Sequence, residues 1–350
     1  MDELKNKISA LGQQLGFDKI GFANIELKQY QSKYLEQITE QDIGDMKFLQ
    51  RNNVLRFKPD LLVSGTKTII TATLNYFPAQ ATNPEQILKS PDKAYISRYA
   101  LGRDYHKVFR NKLKKLATLI EQTFDNLSYR VFCDSAPVME IALAQKSGLG
   151  WQGKNCLLIN RNSGSWFFLG EIYTNLDLGI KDIPVSPHCG SCTACLKACP
   201  TNALESPYKL NPAKCISYLT IEHRGSIPLK LRSLIGNRIY GCDDCQLVCP
   251  WNKFKKLSIE PGFSVRNNLD DISLAQLWQW DEKEFLDKTK GMAIRRIGFE
   301  RWQRNLAVAI GNTGKPDLFV PLLRNKKAYS DLTAQHIAWA IGQLDIGDKG

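Results

Sequence analysis

Eight of the ten cysteines fall between Cys189 and Cys249, and this concentration constrains the fold more than any other feature of the 350 residues. Cys189-x2-Cys192-x2-Cys195-x3-Cys199-Pro200 has the spacing of a two-cluster iron–sulfur run, in which three thiolates hold one cluster and the fourth reaches the other. A shorter run, Cys242-x2-Cys245-x3-Cys249-Pro250, follows. Aligned on its Cys-Pro end, it has Ile239 where a first cysteine would stand, and Cys215 is the nearby thiol that can replace it. The count then closes. One 4Fe-4S cluster takes Cys189, Cys192, Cys195 and Cys249; the second takes Cys199, Cys215, Cys242 and Cys245. Structural zinc, the alternative, also favours four thiolates and two-residue spacings. Three cysteines spaced by two and followed by Cys-Pro suit a cubane better, and two cubanes in so short a segment imply one-electron traffic toward an acceptor.

The composition, 43% apolar and 23% charged, is that of a globular chain and excludes disorder, collagen and a disulfide miniprotein. No run approaches the 18 or more apolar residues of a membrane span. Met1-Asp2-Glu3-Leu4-Lys5 resembles neither a secretory signal nor a transit peptide. A cytoplasmic protein is therefore expected, in which clustered thiols serve metals or catalysis rather than disulfides.

Three units are expected. Residues 1–180 read as an α/β (α+β) domain: Thr68 to Leu74 and Arg130 to Cys133 have strand character, while Phe109, Leu113, Leu116 and Ile120 recur at helical spacing. A helix should open near Ser135, with Pro137 in its first turn. Cys156 to Asn160 and Trp166 to Thr174 read as two strands joined by the turn Asn162 to Ser165. Residues 181–255, after the proline-marked Ile183 to Pro187, hold the cysteines. Residues 256–350 read as helical, with inward positions at Leu306 and Ile310, Leu318 and Leu322, and Ile337, Ile341 and Leu344. These suit either one helical-repeat pair or a plain helical cap.

A carrier alone would not need the rest of the chain, so an electron acceptor is expected in the first unit. Gly148-Leu149-Gly150-Trp151-Gln152-Gly153 satisfies the dinucleotide fingerprint formally, but it follows a helix and precedes a strand, the reverse of what that motif requires. Asp134, at the end of an apolar strand, is either a reactive group or a helix cap. Asp104-Tyr105-His106 has Phe109 where a histidine-on cobalamin motif has glycine; His106 is either a proton-transfer group or a surface histidine. Cys133 and Cys156 fall outside the cluster count and read as core. The net charge of +12, carried in part by Lys253, Lys255, Lys256, Arg295, Arg296, Arg301, Arg304, Arg224, Arg232 and Arg238, fits a partner with a phosphate backbone.

Taken together, Gly102 to His106, Phe132-Cys133-Asp134, Gly150 to Cys156, His188 to Pro200, Cys215 to Thr220 and Gly236 to Pro250 resemble the epoxyqueuosine reductase family over nearly the whole chain. The resemblance implies an N-terminal cobalamin-binding domain similar to that of reductive dehalogenases, a ferredoxin-like domain with two 4Fe-4S clusters and a C-terminal α-helical HEAT-like region. It implies reduction of the epoxide of epoxyqueuosine, at the tRNA wobble position, to queuosine. Electrons would come from an external flavodoxin- or ferredoxin-type donor, through the clusters, to base-off cobalamin in a monomeric enzyme. Asp134 matches the family's proton donor, Tyr105 and His106 its substrate surroundings, and Arg56, Ser97, Lys154, Asn155, Cys156 and Ser217 the segments lining the corrin. A corrinoid dehalogenase acting on a small organohalide and a plain two-cluster carrier are the alternatives.

Overall fold

The computed structural model describes residues 2–40, 43–124 and 126–347. Its organising element is a four-stranded antiparallel sheet of strands β1 (Lys19–Asn24), β2 (Thr68–Asn75), β3 (Tyr129–Phe132) and β4 (Phe167–Thr174), in the order β1-β2-β4-β3. Every residue of β2 is buried, as its unbroken β-branched and apolar sequence requires of a strand covered on both faces. On one face lie helices α1 (Asp2–Gln14) and α2 (Tyr105–Glu121), whose Ile8, Phe109, Leu113, Leu116 and Ile120 pack against Ile70, Ala72, Phe168 and Ile172. On the other lies α3 (Glu140–Lys146), with Ala142 and Leu143 against Ile69, Phe132 and Tyr173.

Two local expectations are corrected. The helix after Asp134 starts at Glu140, not near Ser135. Residues 133–139 instead form a loop with two tight turns, Ser135 N–H to the Cys133 carbonyl (2.7 Å) and Val138 N–H to that of Ala136 (2.8 Å). Leu158–Ile159 pairs with Trp151–Gln152 rather than with β4. The segment before β4 is drawn elsewhere: Ser165 N–H donates to Asn252 Oδ1 (2.7 Å) and its carbonyl accepts from Gln246 Nε2 (3.0 Å).

The cysteine segment is joined to the sheet unit by backbone, since Arg238–Tyr240 runs parallel to Tyr95–Ile96. Beyond it, helices α4 (Gly298–Gly311), α5 (Pro316–Asn325) and α6 (Asp331–Gly347) form the C-terminal layer. Leu306, Ile310, Ile337 and Leu344 are buried as expected, but on α5 the inward residues are Phe319 and Leu323, and Leu318 is half exposed. Helix α4 is buried nearly all round, so it serves as a core helix. The basic surface shrinks accordingly. Arg304 is fully buried, its guanidinium donating to the carbonyls of Leu219, His223 and Gly225, and Arg232 is buried beneath Ile227. Arg238 is spent on Asp244. No helix among the described residues is long and apolar enough to cross a membrane.

Candidate functional site

The site begins with the capping of α2. Asp104 accepts the backbone N–H of His106 (3.1 Å) and, with the same oxygen, the ring Nδ1 (2.8 Å), so the residue that starts the helix also orients the imidazole. The opposite ring nitrogen, Nε2, meets Asp134 Oδ2 at 3.0 Å, and the Tyr105 hydroxyl donates to that same oxygen. Tyr105 is held between two rings, stacked on Phe168 (4.1 Å between centroids) and on His106 (4.0 Å).

Asp134 caps no helix. It has φ +60°, a conformation that few non-glycine residues adopt, and its backbone N–H donates to Glu140 Oε1 at 2.6 Å. This backbone presents a carboxylate, half exposed (52%), to both Tyr105 and His106. Burial works against charge on the His106 ring, but hydrogen bonds to Asp104 and Asp134, with their charges, push its pKa up to about 9. Burial would raise Asp134, yet the hydrogen bonds from His106 and Tyr105, with the imidazolium charge, hold it below the usual carboxylate range. At neutral pH the proton of this pair therefore sits on the imidazole.

Asp134 borders two cavities, each of about 670 Å³. The first is lined mainly by apolar side chains, among them Leu157, Phe167, Leu204 and Ile216, and has Cys199, Cys215, Cys242 and Cys245 in its wall. Of the expected corrin-lining residues, Ser97, Asn155 and Ser217 are there. The Ser97 hydroxyl donates to buried Asp243 (2.5 Å), and Asn155 Nδ2 reaches the Cys245 carbonyl (3.4 Å). Arg56, Lys154 and Cys156 are not among its lining residues. Arg56 is buried over the Tyr34 ring, and Lys154 Nζ donates to the carbonyls of Gly190 (2.6 Å) and Cys192 (2.9 Å). Burial pushes the Cys156 thiol up to about 11. The second cavity is polar, with His106, Lys107, Arg110, Asp134 and Arg296 around it. Tyr76, Tyr99, Phe168, Glu140 and Arg296 join the site without any motif to mark them; only the spatial closure of the sheet against the cysteine segment brings them together.

Several of the cysteines lie close enough to act on one another's thiols. Burial, and then the thiols of Cys249, Cys189 and Cys192, push up Cys195. Burial and then Cys215 do so for Cys245, and Cys199 acts in the same sense on Cys215. Cys249 thus lies near the first run and Cys199 near Cys215, while Cys195 also acts on Cys245 across the two sets. Cys192 is exposed, and Cys199, Cys215, Cys242 and Cys245 face the large cavity.

Comparison with known proteins agrees with this layout. A family model for a 4Fe-4S double cluster binding domain matches residues 188–252, and one for epoxyqueuosine reductase QueG matches residues 56–135. The chain is 47% identical over 343 residues to the epoxyqueuosine reductase of Escherichia coli K12, covering 98% of this chain and 90% of that one. To the enzyme of Pseudomonas aeruginosa it is 44% identical over 339 residues, covering 97% and 94%. Among solved structures it resembles an epoxyqueuosine reductase with an epoxyqueuosine-modified tRNA-Tyr stem loop (TM-score 0.88, 30% identity, 98% of this chain and 90% of that one). It also resembles a Bacillus subtilis epoxyqueuosine reductase whose aspartate catalytic loop is swung out of the active site (TM-score 0.87, 29% identity, 98% and 90%). On identity that extends over nearly the full length of both partners, the chain belongs to the epoxyqueuosine reductase family.

Proposed function

We propose that this protein reduces the epoxide of epoxyqueuosine in tRNA to the alkene of queuosine, with Asp134, Tyr105 and His106 as the proton-handling group. The observation that carries the reading is their convergence on one carboxylate oxygen at the rim of a cavity walled by four of the cluster cysteines. Cys189, Cys192, Cys195 and Cys249 would hold one 4Fe-4S cluster and Cys199, Cys215, Cys242 and Cys245 the other; their chemistry is one-electron transfer from an external flavodoxin- or ferredoxin-type donor. The large apolar cavity suits cobalamin, with Ser97, Asn155 and Ser217 as the polar contacts that would hold it. Cobalamin supplies, when bound and reduced, a low-potential cobalt centre able to open a carbon–oxygen bond.

The side chains manage the proton. His106 holds it between Asp104 and Asp134 at neutral pH. Asp134 borders both cavities, so as charge develops on the epoxide oxygen the proton passes from Nε2 through the Asp134 carboxyl to that oxygen, and no free alkoxide forms. Tyr105, buried beside Asp134 and hydrogen-bonded to it, stays a neutral phenol and fixes the carboxylate. Lys107, Arg110 and Arg296 around the polar cavity supply charge for the anticodon backbone. The same reading takes residues 1–180, 181–255 and 256–350 as cobalamin-binding, cluster-binding and HEAT-like units of a monomeric, cytoplasmic enzyme.

A strain lacking this protein should accumulate epoxyqueuosine in its tRNA; nucleoside mass spectrometry that finds normal queuosine instead would overturn the proposal.

A further inference from the structure

Cys199, Cys215, Cys242 and Cys245 line the large cavity that Asp134 borders, so electrons bound for that cavity come from the side of the other four cysteines. That side meets solvent. Cys192 is exposed, as are residues 186–188, 190 and 191 around it. The Lys154 ammonium donates to the carbonyls of Gly190 (2.6 Å) and Cys192 (2.9 Å) and so fixes this turn.

The second cysteine run brings an aromatic group to the same turn. A 3-10 helix, Pro250–Phe254, starts directly after Cys249. Within it, buried Asn252 accepts the Ser165 backbone N–H (2.7 Å) and donates to the Gln246 carbonyl (2.6 Å), which pins the helix down. The Trp251 indole N–H donates to the carbonyl of His188 (3.3 Å), the residue before Cys189. The rings of Trp251 and His188 both lie edge-on to wholly buried Trp151, 5.1 and 4.9 Å between centroids. Pro250, Trp251, Lys253 and Phe254 then form, with Arg161 and Asn162, a surface cavity of about 530 Å³. It shares no lining residue with the polar cavity at His106. Phe254 is 45% exposed, and so, at 40%, is Val248 beside Cys249.

Charge in these segments has one sign. Residues 183–204 and 245–259 contain Lys197, Lys253, Lys255 and Lys256 and no aspartate or glutamate. Other cations of the molecule are spent on acids, as Lys112 is on Glu260, Lys214 on Glu205 and Arg296 on Glu222. Arg161 and Lys253 have no carboxylate partner among the described residues, and Lys253 lies over the Phe254 ring instead, 4.8 Å from its centroid.

Unpaired cations around exposed aromatic rings, beside a solvent-facing thiol, suit brief contact with an acidic redox protein. Electron-transfer contacts are small, below about 1,200 Å², and complementary charge sets their rate of encounter. On the reading that Cys189, Cys192, Cys195 and Cys249 hold a 4Fe-4S cluster, we propose that Trp251, Phe254, Arg161 and Lys253 form the docking surface for an acidic flavodoxin-type donor. The flat apolar edge of a flavin fits against Trp251 and Phe254, and carboxylates of the donor face Arg161 and Lys253. One electron crosses in each encounter: the carrier is oxidised by one electron, the enzyme is reduced by one, and no bond forms or breaks. Two encounters supply one epoxide reduction. Lys253 thereby serves a protein partner rather than the tRNA backbone, whose route to Asp134 is the polar cavity.

The test uses the holoenzyme, an acidic flavodoxin and the paired variant Arg161→Glu/Lys253→Glu. Binding of oxidised flavodoxin, followed by isothermal titration at low ionic strength, should weaken at least about tenfold, and the difference should shrink as salt is added. Stopped-flow bleaching of the iron–sulfur absorbance by reduced flavodoxin should slow by a similar factor. Phe254→Ala should slow it about fivefold at low and high salt alike. Bleaching by photoreduced 5-deazariboflavin, a small uncharged reductant, should keep its rate, and affinity for an unmodified tRNA transcript should stay the same. If the charge reversals lose iron, Arg161→Gln/Lys253→Gln, which removes charge without reversing it, decides the matter by the same measurements. Unchanged flavodoxin binding and bleaching, equal slowing with deazaflavin, or loss of tRNA affinity in place of flavodoxin affinity overturns the proposal. None of these readouts requires epoxyqueuosine, so a protein that makes no queuosine overturns the functional reading and leaves the docking surface to be judged on its own.

Discussion

At Asp134 the backbone takes a left-handed conformation, and the residue becomes an acceptor for two donors instead of a helix cap. Asp134→Asn removes the carboxylate through which the proton of His106 reaches the substrate and should lower single-turnover queuosine formation by about 10²- to 10⁴-fold while iron and corrinoid content stay unchanged. His106 adds a pH signature. Its folded pKa, about 9, lies above the ordinary 6.5, so the stability it contributes is complete below 6.5 and is lost as pH rises through about 9. Thermal unfolding across that range should show wild type losing stability relative to His106→Gln, and parallel curves would show that the imidazolium does not bind more tightly in the folded state. Asp134 and His106 were legible as candidates because a strand end and a helix start are short, local signals. Their pairing was not legible, since 28 residues separate them.

At the scale of elements, the glycines show how closely the pieces approach. Gly241 has φ +71°, its N–H donates to Thr220 Oγ1 (2.9 Å), and a Cβ there would lie 2.6 Å from that of Ser97. Gly241→Ala should cost about 1–3 kcal/mol through overpacking, more with the strained φ. By moving Ser97 and the adjacent Cys242, it should lower iron content toward a single cluster; full iron loading at an unchanged melting temperature would argue against this. Gly150 has a similar role, because its Cβ would meet the Ile159 carbonyl at 2.2 Å. The glycine run that resembles a dinucleotide fingerprint therefore serves the close pairing of Trp151–Gln152 with Leu158–Ile159. Periodicity located β2, α2 and the C-terminal helices, whose apolar residues repeat over several turns or along a full strand. It misplaced the start of α3 and the inward face of α5, where a side-chain bond to a loop and packing against α4 and α6 outweigh local preference.

For the whole molecule, α4 ties the cluster segment to the C-terminal layer. Arg304 donates to three backbone carbonyls of residues 219–225, and Asn305 Nδ2 donates to those of Thr220 (2.8 Å) and Ile239 (2.9 Å). Arg304→Met would leave those carbonyls buried without donors and should destabilise the protein by about 3 kcal/mol or more, read as a lower melting temperature with loss of iron. The cations that line the second cavity act over longer range. Replacing Lys107 and Arg110 by alanine should weaken binding of the modified tRNA and flatten its salt dependence, while a fluorescence titration with the slope unchanged would move the RNA contact elsewhere.

The cysteine spacing by itself marked the segment that matches a 4Fe-4S double cluster binding domain, because cluster ligation demands particular residues at particular separations. The family likeness rests on the same kind of local signal. Which arginines reach solvent, which residues wall the cavity and where the proton resides were decided only by tertiary structure. Burial, pairing and pKa depend on what surrounds a side chain, and at this site the surroundings come from β4, α2, α3 and the cysteine segment together.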